Sequence, residues 1–229
     1  MRQYPDARDA EFQQVVSRAH LTSGACVADI PAGGGYLKAY LPNDVTWLGH
    51  EPCAGFHHDR GASSPPVSVP LLPLPWRDHS VDVIISLAGV HHIENKRPLF
   101  SAFHSVLKPG GRLILSDVAA GSDTAFFLDH FVGAHNSTGH QGIYLDQDTL
   151  GELEEAGLIV SNSEIASFYW RFDNKACMTD FCRLLFDLRN TPDATLARVI
   201  ERQLGVDVLP SGHIGMKWSL MTITARKWA

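Results

Sequence analysis

The chain has no cluster of cations, no long apolar run and no paired-cysteine motif. Nineteen Lys and Arg stand against twenty-five Asp and Glu, a formal charge of −6, and no basic stretch interrupts that balance. Neutralising a phosphate backbone takes clustered cations, so nucleic acid is not an expected partner. No apolar segment approaches the ~20 residues of a membrane helix. The start Met1-Arg2-Gln3-Tyr4-Pro5-Asp6 lacks a signal-peptide core, and a cytoplasmic protein with no membrane partner is expected. The four cysteines, Cys26, Cys53, Cys177 and Cys182, form no C-x-x-C pair, which argues against a disulfide framework or a structural zinc site. They read as small packing residues. There is no internal repeat and no low-complexity tract; the Ser- and Pro-rich stretch 62–66 reads as a loop. What is present is 229 residues, 45% of them hydrophobic, enough for one substantial core with an added lobe. A single domain over 1–229 is the expectation.

The most informative stretch is Val27-Ala28-Asp29-Ile30-Pro31-Ala32-Gly33-Gly34-Gly35-Tyr36. An apolar strand ends in a carboxylate and runs into glycines that can take positive φ and admit a ligand close to the backbone. A following helix would turn unpaired N–H groups toward a carboxylate or phosphate. A dinucleotide fingerprint requires a third glycine where helix and strand press together, and Lys38 stands there. The remaining pattern, D-x-P-x-G-x-G, resembles motif I of class I S-adenosylmethionine-dependent methyltransferases, with Pro31 in place of the first glycine. Proline fixes φ and removes one N–H, so the ligand's amino-acid end is expected on Gly33, Gly35 and Asp29. The competing reading is a tight strand-to-helix turn that needs glycine only for steric reasons.

Val45-Thr46-Trp47-Leu48-Gly49-His50-Glu51 reads as a second strand closed by an acid, sixteen positions after Gly35. A carboxylate there can accept hydrogen bonds from both ribose hydroxyls; NAD enzymes share this device, and a solvated loop acid is the plain alternative. Leu72-Pro73-Leu74-Pro75-Trp76, Ser80 to Ser86, Val90-His91-His92-Ile93 and Val106-Leu107-Lys108-Pro109-Gly110-Gly111 follow in order. Their succession is similar to further signatures of the same family, from about residue 20 to 118 and, in general layout, to the C-terminus. The last of them is architectural. Leu99, Phe100, Phe103, Val106 and Leu107 make the apolar stripe of a helix opened by Pro98, and Pro109-Gly110 turns the chain back with glycine at positive φ. A departure stands near residue 68. Relatives often carry Asp-Ala where Ser68-Val69 occur here, so the adenine is expected against backbone groups and the side chains of Leu71 and Leu72. The resemblance implies a cofactor site of Asp29, Pro31, Ala32, Gly33, Gly35, Glu51, Pro52, Leu71, Leu72, Ser86, Leu87 and Ala88.

The expected fold is α/β, a Rossmann-like doubly wound, mostly parallel seven-stranded sheet. A helix is expected over 7–19, strands near 25–30, 45–50, 66–69, 81–86 and 112–118, then a helix over 147–156 started by Asp146 or Asp148 and stopped by Gly157. A strand near 158–164 and a last strand over 214–226 enclose two added helices, a lid or interface element over 174–205. One of these carries Met178, Phe181, Leu184, Leu185 and Leu188; the other opens at Thr191-Pro192.

In such sheets the ligand crevice lies beyond the carboxyl ends of the strands. Methyl transfer is an in-line displacement from a sulfonium with a neutral leaving group, so holding nucleophile and methyl roughly 3 Å apart supplies much of the catalysis. A base is needed only where the acceptor must lose a proton. Among the twelve histidines, His91 and His92 follow the fourth expected strand, where the sulfonium should lie; a histidine bonded to a loop carbonyl is the plain alternative. The run from Phe126 to Tyr144 passes from an aromatic helix into a glycine-spaced loop expected to cover the acceptor, with His130, His135, His140 and Tyr144 as candidates to orient or deprotonate it. The catalytic candidates are thus His92, His91, His135, His140 and Tyr144. No H-x-x-x-H or H-E-x-x-H spacing is present, so no metal is expected. Phe168-Tyr169-Trp170-Arg171-Phe172 reads equally as pocket lining, core or subunit interface.

The resemblance implies an S-adenosylmethionine-dependent methyltransferase acting on a small molecule. A nicotinamide-dependent oxidoreductase and a cofactor-binding protein of this fold that transfers no methyl are the alternatives. The atom methylated and the oligomeric state are not readable.

Overall fold

A computed structural model describes residues 3–53, 69–188 and 190–229. The strand expected near 66–69 lies almost wholly outside these residues, as do Ser68 and the loop expected at 62–66. The described strands are β1 (Cys26–Asp29), β2 (Thr46–Gly49), β3 (Val81–Leu87), β4 (Leu107–Asp117), β5 (Leu158–Phe172), β6 (Val206–Val208) and β7 (Ile214–Lys227). They form one sheet in the order β2-β1-β3-β4-β7-β5, with β6 also paired to β7. β2, β1, β3 and β4 pair in parallel, and β7 is antiparallel to β4, β5 and β6. The chain leaves β1 for β2 on one side and returns as β3 on the other, so the topological switch lies between β1 and β3, where ligands of open α/β sheets bind.

Alternation along the strands builds two cores. Val27, Val83, Ile85 and Ile114 face one layer with Phe12, Val15 and Ala19 of α1 (Asp9–Ala19). Ala28, Ile84, Leu113 and Leu115 face the other, with Leu99, Phe100 and Phe103 of α2 (Arg97–Val106). A sheet buried on both faces requires near-continuous apolar strands, and β3 and the middle of β4 are buried along almost their whole length. Burying each of Phe100 and Phe103 fully contributes about 1.5–3 kcal/mol.

The turn expected at Pro109-Gly110 takes the form of an excursion. Val81 pairs with Leu107 and Val83 with Arg112, so residues 108–111 loop out of register, and Gly110 has φ +76°. A helical run follows β4, made of α3 (Asp123–Phe126), a π-helical turn (Phe127–Val132) and α4 (Gly133–His135). α5 (Gln147–Glu155) starts at a capping box in which the Asp146 carboxylate and the Thr149 hydroxyl each accept the other's backbone N–H, both at 3.1 Å. It stops at Gly157, φ +88°. α6 (Lys175–Leu185) and α7 (Asp193–Gln203) stand between β5 and β7 as expected.

Three expectations need correction. The glycine loop opens onto a 3₁₀ helix of five residues, Tyr36–Tyr40, not a full helix; Leu41 is already extended, the conformation favoured for a residue before proline, and Pro42 cannot continue a helix. β5 runs to Phe172 because its aromatic end stays paired with β7, from Leu158 opposite Lys227 to Phe172 opposite Ile214. The short strand β6 follows Gly205, φ +92°, and extends the sheet on β7. Among the described residues no helix is long and apolar enough to cross a membrane.

Candidate active site

The loops at the carboxyl ends of β1, β2 and β3 converge on a cavity of about 650 Å³. Pro31, Ala32 and Gly33 line it after β1, Glu51 and Pro52 after β2, and Leu87, Ala88 and Gly89 after β3. The Ile30-Pro31 peptide is cis, and Pro31 packs onto Gly89 so closely that a Cβ there would fall 2.3 Å from its Cγ. Gly33 has φ +54° and nothing within 4 Å of where its Cβ would be. Its missing side chain is therefore open space beside the cavity.

Two carboxylates stand in this corner. Asp29, at the end of β1, is 3% exposed and accepts a hydrogen bond from the Trp47 indole at 3.1 Å. Burial pushes its pKa up to about 7; the indole N–H opposes this and the Glu51 charge adds to it. Glu51 accepts the N–H groups of Gly33 and Cys53, each at 2.7 Å, which orients its carboxylate on the loop. Leu71 lines the cavity, its carbonyl 3.1 Å from His50 Nε2.

Asp117 organises the other corner. It has no exposed surface; Oδ2 accepts the N–H groups of Gly89, Val90 and His91 at 2.8–3.1 Å. Oδ1 lies 2.7 Å from His91 Nδ1 and accepts the Val118 N–H at 2.7 Å. Burial alone would raise the Asp117 pKa, but the His91 ring and these N–H donors hold it below the ordinary carboxylate value. The ionised acid fixes the His91 proton on Nδ1 and leaves Nε2 as the acceptor.

The glycine-spaced loop is stitched to this turn. Ile143 N–H donates to the His91 carbonyl at 2.8 Å, and the Lys96 ammonium joins the carbonyls of Ile93 and Ile143. Asp129 accepts the Tyr144 hydroxyl at 2.6 Å and the Gly142 N–H at 3.0 Å, with His140 Nδ1 at 3.3 Å. A Cβ on Gly133 would come within 2.7 Å of the His140 carbonyl, so glycine permits this close approach. The outcome is a cluster of imidazoles: His91 and His92 with centroids 4.0 Å apart, and His140 at 5.5 and 5.4 Å from them. All three line the cavity. Burial and its two neighbours push the His92 pKa down to about 4. Burial and His91 likewise lower that of His140, against the pull of Asp129.

Part of the cavity wall is aromatic. Trp170 of β5 and Trp218 of β7 stack with centroids 4.3 Å apart, with Phe186 at 6.3 and 6.1 Å from them. The buried Glu11 accepts the Trp170 indole N–H at 2.7 Å and a two-pronged contact from Arg8 at 2.7 and 2.6 Å. Arg8 also sits over the Phe12 and Trp170 rings.

Of the expected cofactor residues, Asp29, Pro31, Ala32, Gly33, Glu51 and Pro52 line the cavity together with Leu71, Leu87 and Ala88. Gly35, Leu72 and Ser86 do not: Gly35 lies against the Trp47 ring, Leu72 packs on the α2 core and Ser86 is wholly buried in β3. Of the expected catalytic residues, His91, His92 and His140 converge. His135 is exposed, bonds the Phe131 carbonyl at 2.8 Å and stays outside the lining. Tyr144 also stays outside, bound to Asp129, and burial followed by that carboxylate pushes its pKa up. Arg8, Glu11, Asp117 and Trp218 were not foreseen as site residues. The first two lie far along the chain from the glycine loop, whereas Trp170 was already marked in the aromatic run.

A mostly parallel sheet with β7 reversed, and a cavity over a glycine loop at the switch point, define the class I methyltransferase fold. Residues 29–115 match the family described as Methyltransferase domain. That match covers less than half of the chain, and the fold is that of the class I S-adenosylmethionine-dependent methyltransferases. A proposed methyltransferase from Bacillus halodurans C-125 superposes with a TM-score of 0.65 at 18% identity, covering 96% of this chain and all of that one. The uncharacterized protein YafE of Escherichia coli K12 is 34% identical over 90 residues, 39% of this chain and 44% of its own length. A Bos taurus protein assigned as tRNA methyltransferase 9B is 36% identical over 97 residues, 40% of this chain and 21% of its own length. The chain thus spans less than half the length of these two curated relatives.

Proposed function

We propose that this chain transfers a methyl group from S-adenosylmethionine to a small-molecule acceptor by in-line displacement. The observation that carries the reading is a single cavity in which the glycine loop and Glu51 meet three imidazoles and a tryptophan wall. Its volume, about 650 Å³, falls within the ~300–1,000 Å³ of small-molecule sites. The open space at Gly33 and the two acids fit a ligand with a cationic amino-acid end and a sugar. In this reading Asp29 and Gly33 meet the amino-acid end, Glu51 the ribose hydroxyls, and Leu71 and Leu87 the adenine. Bound there, the cofactor supplies an electrophilic methyl.

The chain's own part is positioning and exclusion of water. Trp170, Trp218 and Phe186 offer flat apolar surface that suits an aromatic or otherwise planar acceptor. His91, His92 and His140 meet its polar edge. The segment 174–205 acts as a lid within one domain spanning 1–229, since Leu185 and Phe186 at the end of α6 line the cavity. The Asn136 side chain donates to the Phe186 carbonyl at 2.6 Å and ties this lid to the loop that carries His140. A charge of −6 without a basic stretch disfavours tRNA as the acceptor. The four unpaired thiols suit a reducing, cytoplasmic setting.

A nicotinamide enzyme is disfavoured by the five-residue 3₁₀ helix after the glycines, too short to offer a pyrophosphate a helix N-terminus. Thermal-shift titration with S-adenosylmethionine, S-adenosylhomocysteine and NAD separates the two, because a native-state ligand raises stability by mass action. The first two should shift the midpoint and NAD should not. No shift at saturating S-adenosylmethionine refutes the proposal. Release of S-adenosylhomocysteine on incubation with small-metabolite extracts then distinguishes transfer from binding alone.

A further inference from the structure

We propose that His91, His92 and His140 bind a divalent transition-metal ion of the zinc type, leaving a coordination position open to the cavity. One ring nitrogen from each lies within 4.8 Å of the others. Tetrahedral ligands at the ~2.0–2.1 Å of a Zn–N bond stand about 3.4 Å apart, so binding draws the rings inward by roughly 1–1.5 Å. His92 is the most open of the three and has the freedom to supply this movement.

The second layer argues more strongly than the spacing. A metal-ligating histidine characteristically gives its other ring N–H to a carboxylate, which fixes the tautomer and makes the ligating nitrogen more basic. Two of the three rings have that arrangement: His91 Nδ1 to Asp117 at 2.7 Å and His140 Nδ1 to Asp129 at 3.3 Å. Both acids are themselves anchored, Asp117 by four backbone N–H groups and Asp129 by Tyr144 and Gly142. Both Nε2 atoms are thereby left as acceptors. Packing for its own sake does not require carboxylates behind two imidazoles that share a cavity with a third.

Three neutral imidazoles select Zn²⁺, Co²⁺, Ni²⁺ or Cu²⁺ over the hard cations Mg²⁺ and Ca²⁺. Three protein ligands with a fourth position for water or substrate is the pattern of catalytic zinc sites. Beside the proposed methyl-donor corner, that position would take an oxygen or nitrogen of the acceptor. This last step rests on the methyl-transfer reading, whereas the metal site itself rests only on the geometry of the histidines and their carboxylates. It replaces the expectation of no metal drawn from spacing, because His91 and His140 are brought together by the fold.

The test uses the untagged full chain, freed of metal with a chelator and dialysed. Co²⁺ titration should produce the visible d–d bands of a tetrahedral site, saturating at one equivalent, and Zn²⁺ should abolish them by displacement. His92→Ala and His140→Ala should each weaken Co²⁺ binding by at least 100-fold, and Asp129→Asn by about 10–100-fold, with unchanged circular dichroism. Absence of the bands overturns the proposal, as does binding equally tight in wild type and both histidine variants. S-adenosylhomocysteine affinity, measured on the same preparations by calorimetry, should survive all three substitutions. Its loss in wild type would instead strike at the methyl-transfer reading and leave the metal result standing.

Discussion

Asp29 offers a quantitative check on how the proposed cofactor corner is built. Its carboxyl is 3% exposed and its pKa is pushed up to about 7 from 3.8, first by burial, with the Trp47 indole N–H opposing and Glu51 adding to the rise. Between those two values the unfolded chain has already lost the proton that the folded chain keeps. Unfolding then releases a proton, so stability falls as pH rises from about 4 to about 7 and is level above that. Three pH units at about 1.4 kcal/mol each set a ceiling of about 4 kcal/mol, and relaxation around the ionised group makes about 2 kcal/mol the expected size. Asp29→Asn keeps the shape and an acceptor for the indole but removes the titration. The variant should match wild type near pH 4 and exceed it by about 2 kcal/mol at pH 8, measured by urea unfolding across that range. A cation beside Asp29 reverses the preference, so wild-type affinity for S-adenosylmethionine should climb up to tenfold per pH unit toward 7, with no such climb in the variant. Parallel stability curves for the two proteins would refute the reasoning.

Other expectations follow from the same geometry. Gly33→Val forces a β-branched residue to φ +54° and fills the open side of the loop; it should lower affinity for S-adenosylmethionine by at least 100-fold in calorimetry, and unchanged affinity would move the site. Trp170→Phe keeps the stack but removes the N–H held by Glu11 at 2.7 Å. A loss of about 1.5–3 kcal/mol, the range for a hydrogen bond to a charged group, is expected in urea unfolding. Asp146→Ala removes the capping box of α5 and should cost about 1 kcal/mol without changing cofactor affinity, because that helix lies away from the cavity.

Where local chemistry decides structure, the sequence was easy to read. Asp146 and Gly157 bound α5 as expected because a cap and a positive-φ stop act within a few residues. Pro98 and the stripe from Leu99 to Val106 did the same for α2. The glycine loop was legible, but the helix after it was not, because Pro42 ends it after little more than a turn. The cavity lining was legible on the side proposed for the cofactor, where glycines and strand-end acids carry the pattern. It was not legible where distant segments meet. His135 and His140 look alike in sequence, and only the docking of Ile143 on His91 turns one inward and leaves the other exposed. Arg8 and Glu11 reach the cavity because α1 packs on the sheet face below β5, a long-range outcome that no local spacing encodes.

One acid serves both the course of the main chain and the bearing of an imidazole. Because Asp117 cannot trade its partners for water, the orientation of His91 is inherited from the backbone turn after β3. Under the proposed function, new acceptor preferences should therefore arise by changes at positions 92 and 140 and in the tryptophan wall. Position 91 can drift only if strand end and turn are rebuilt together.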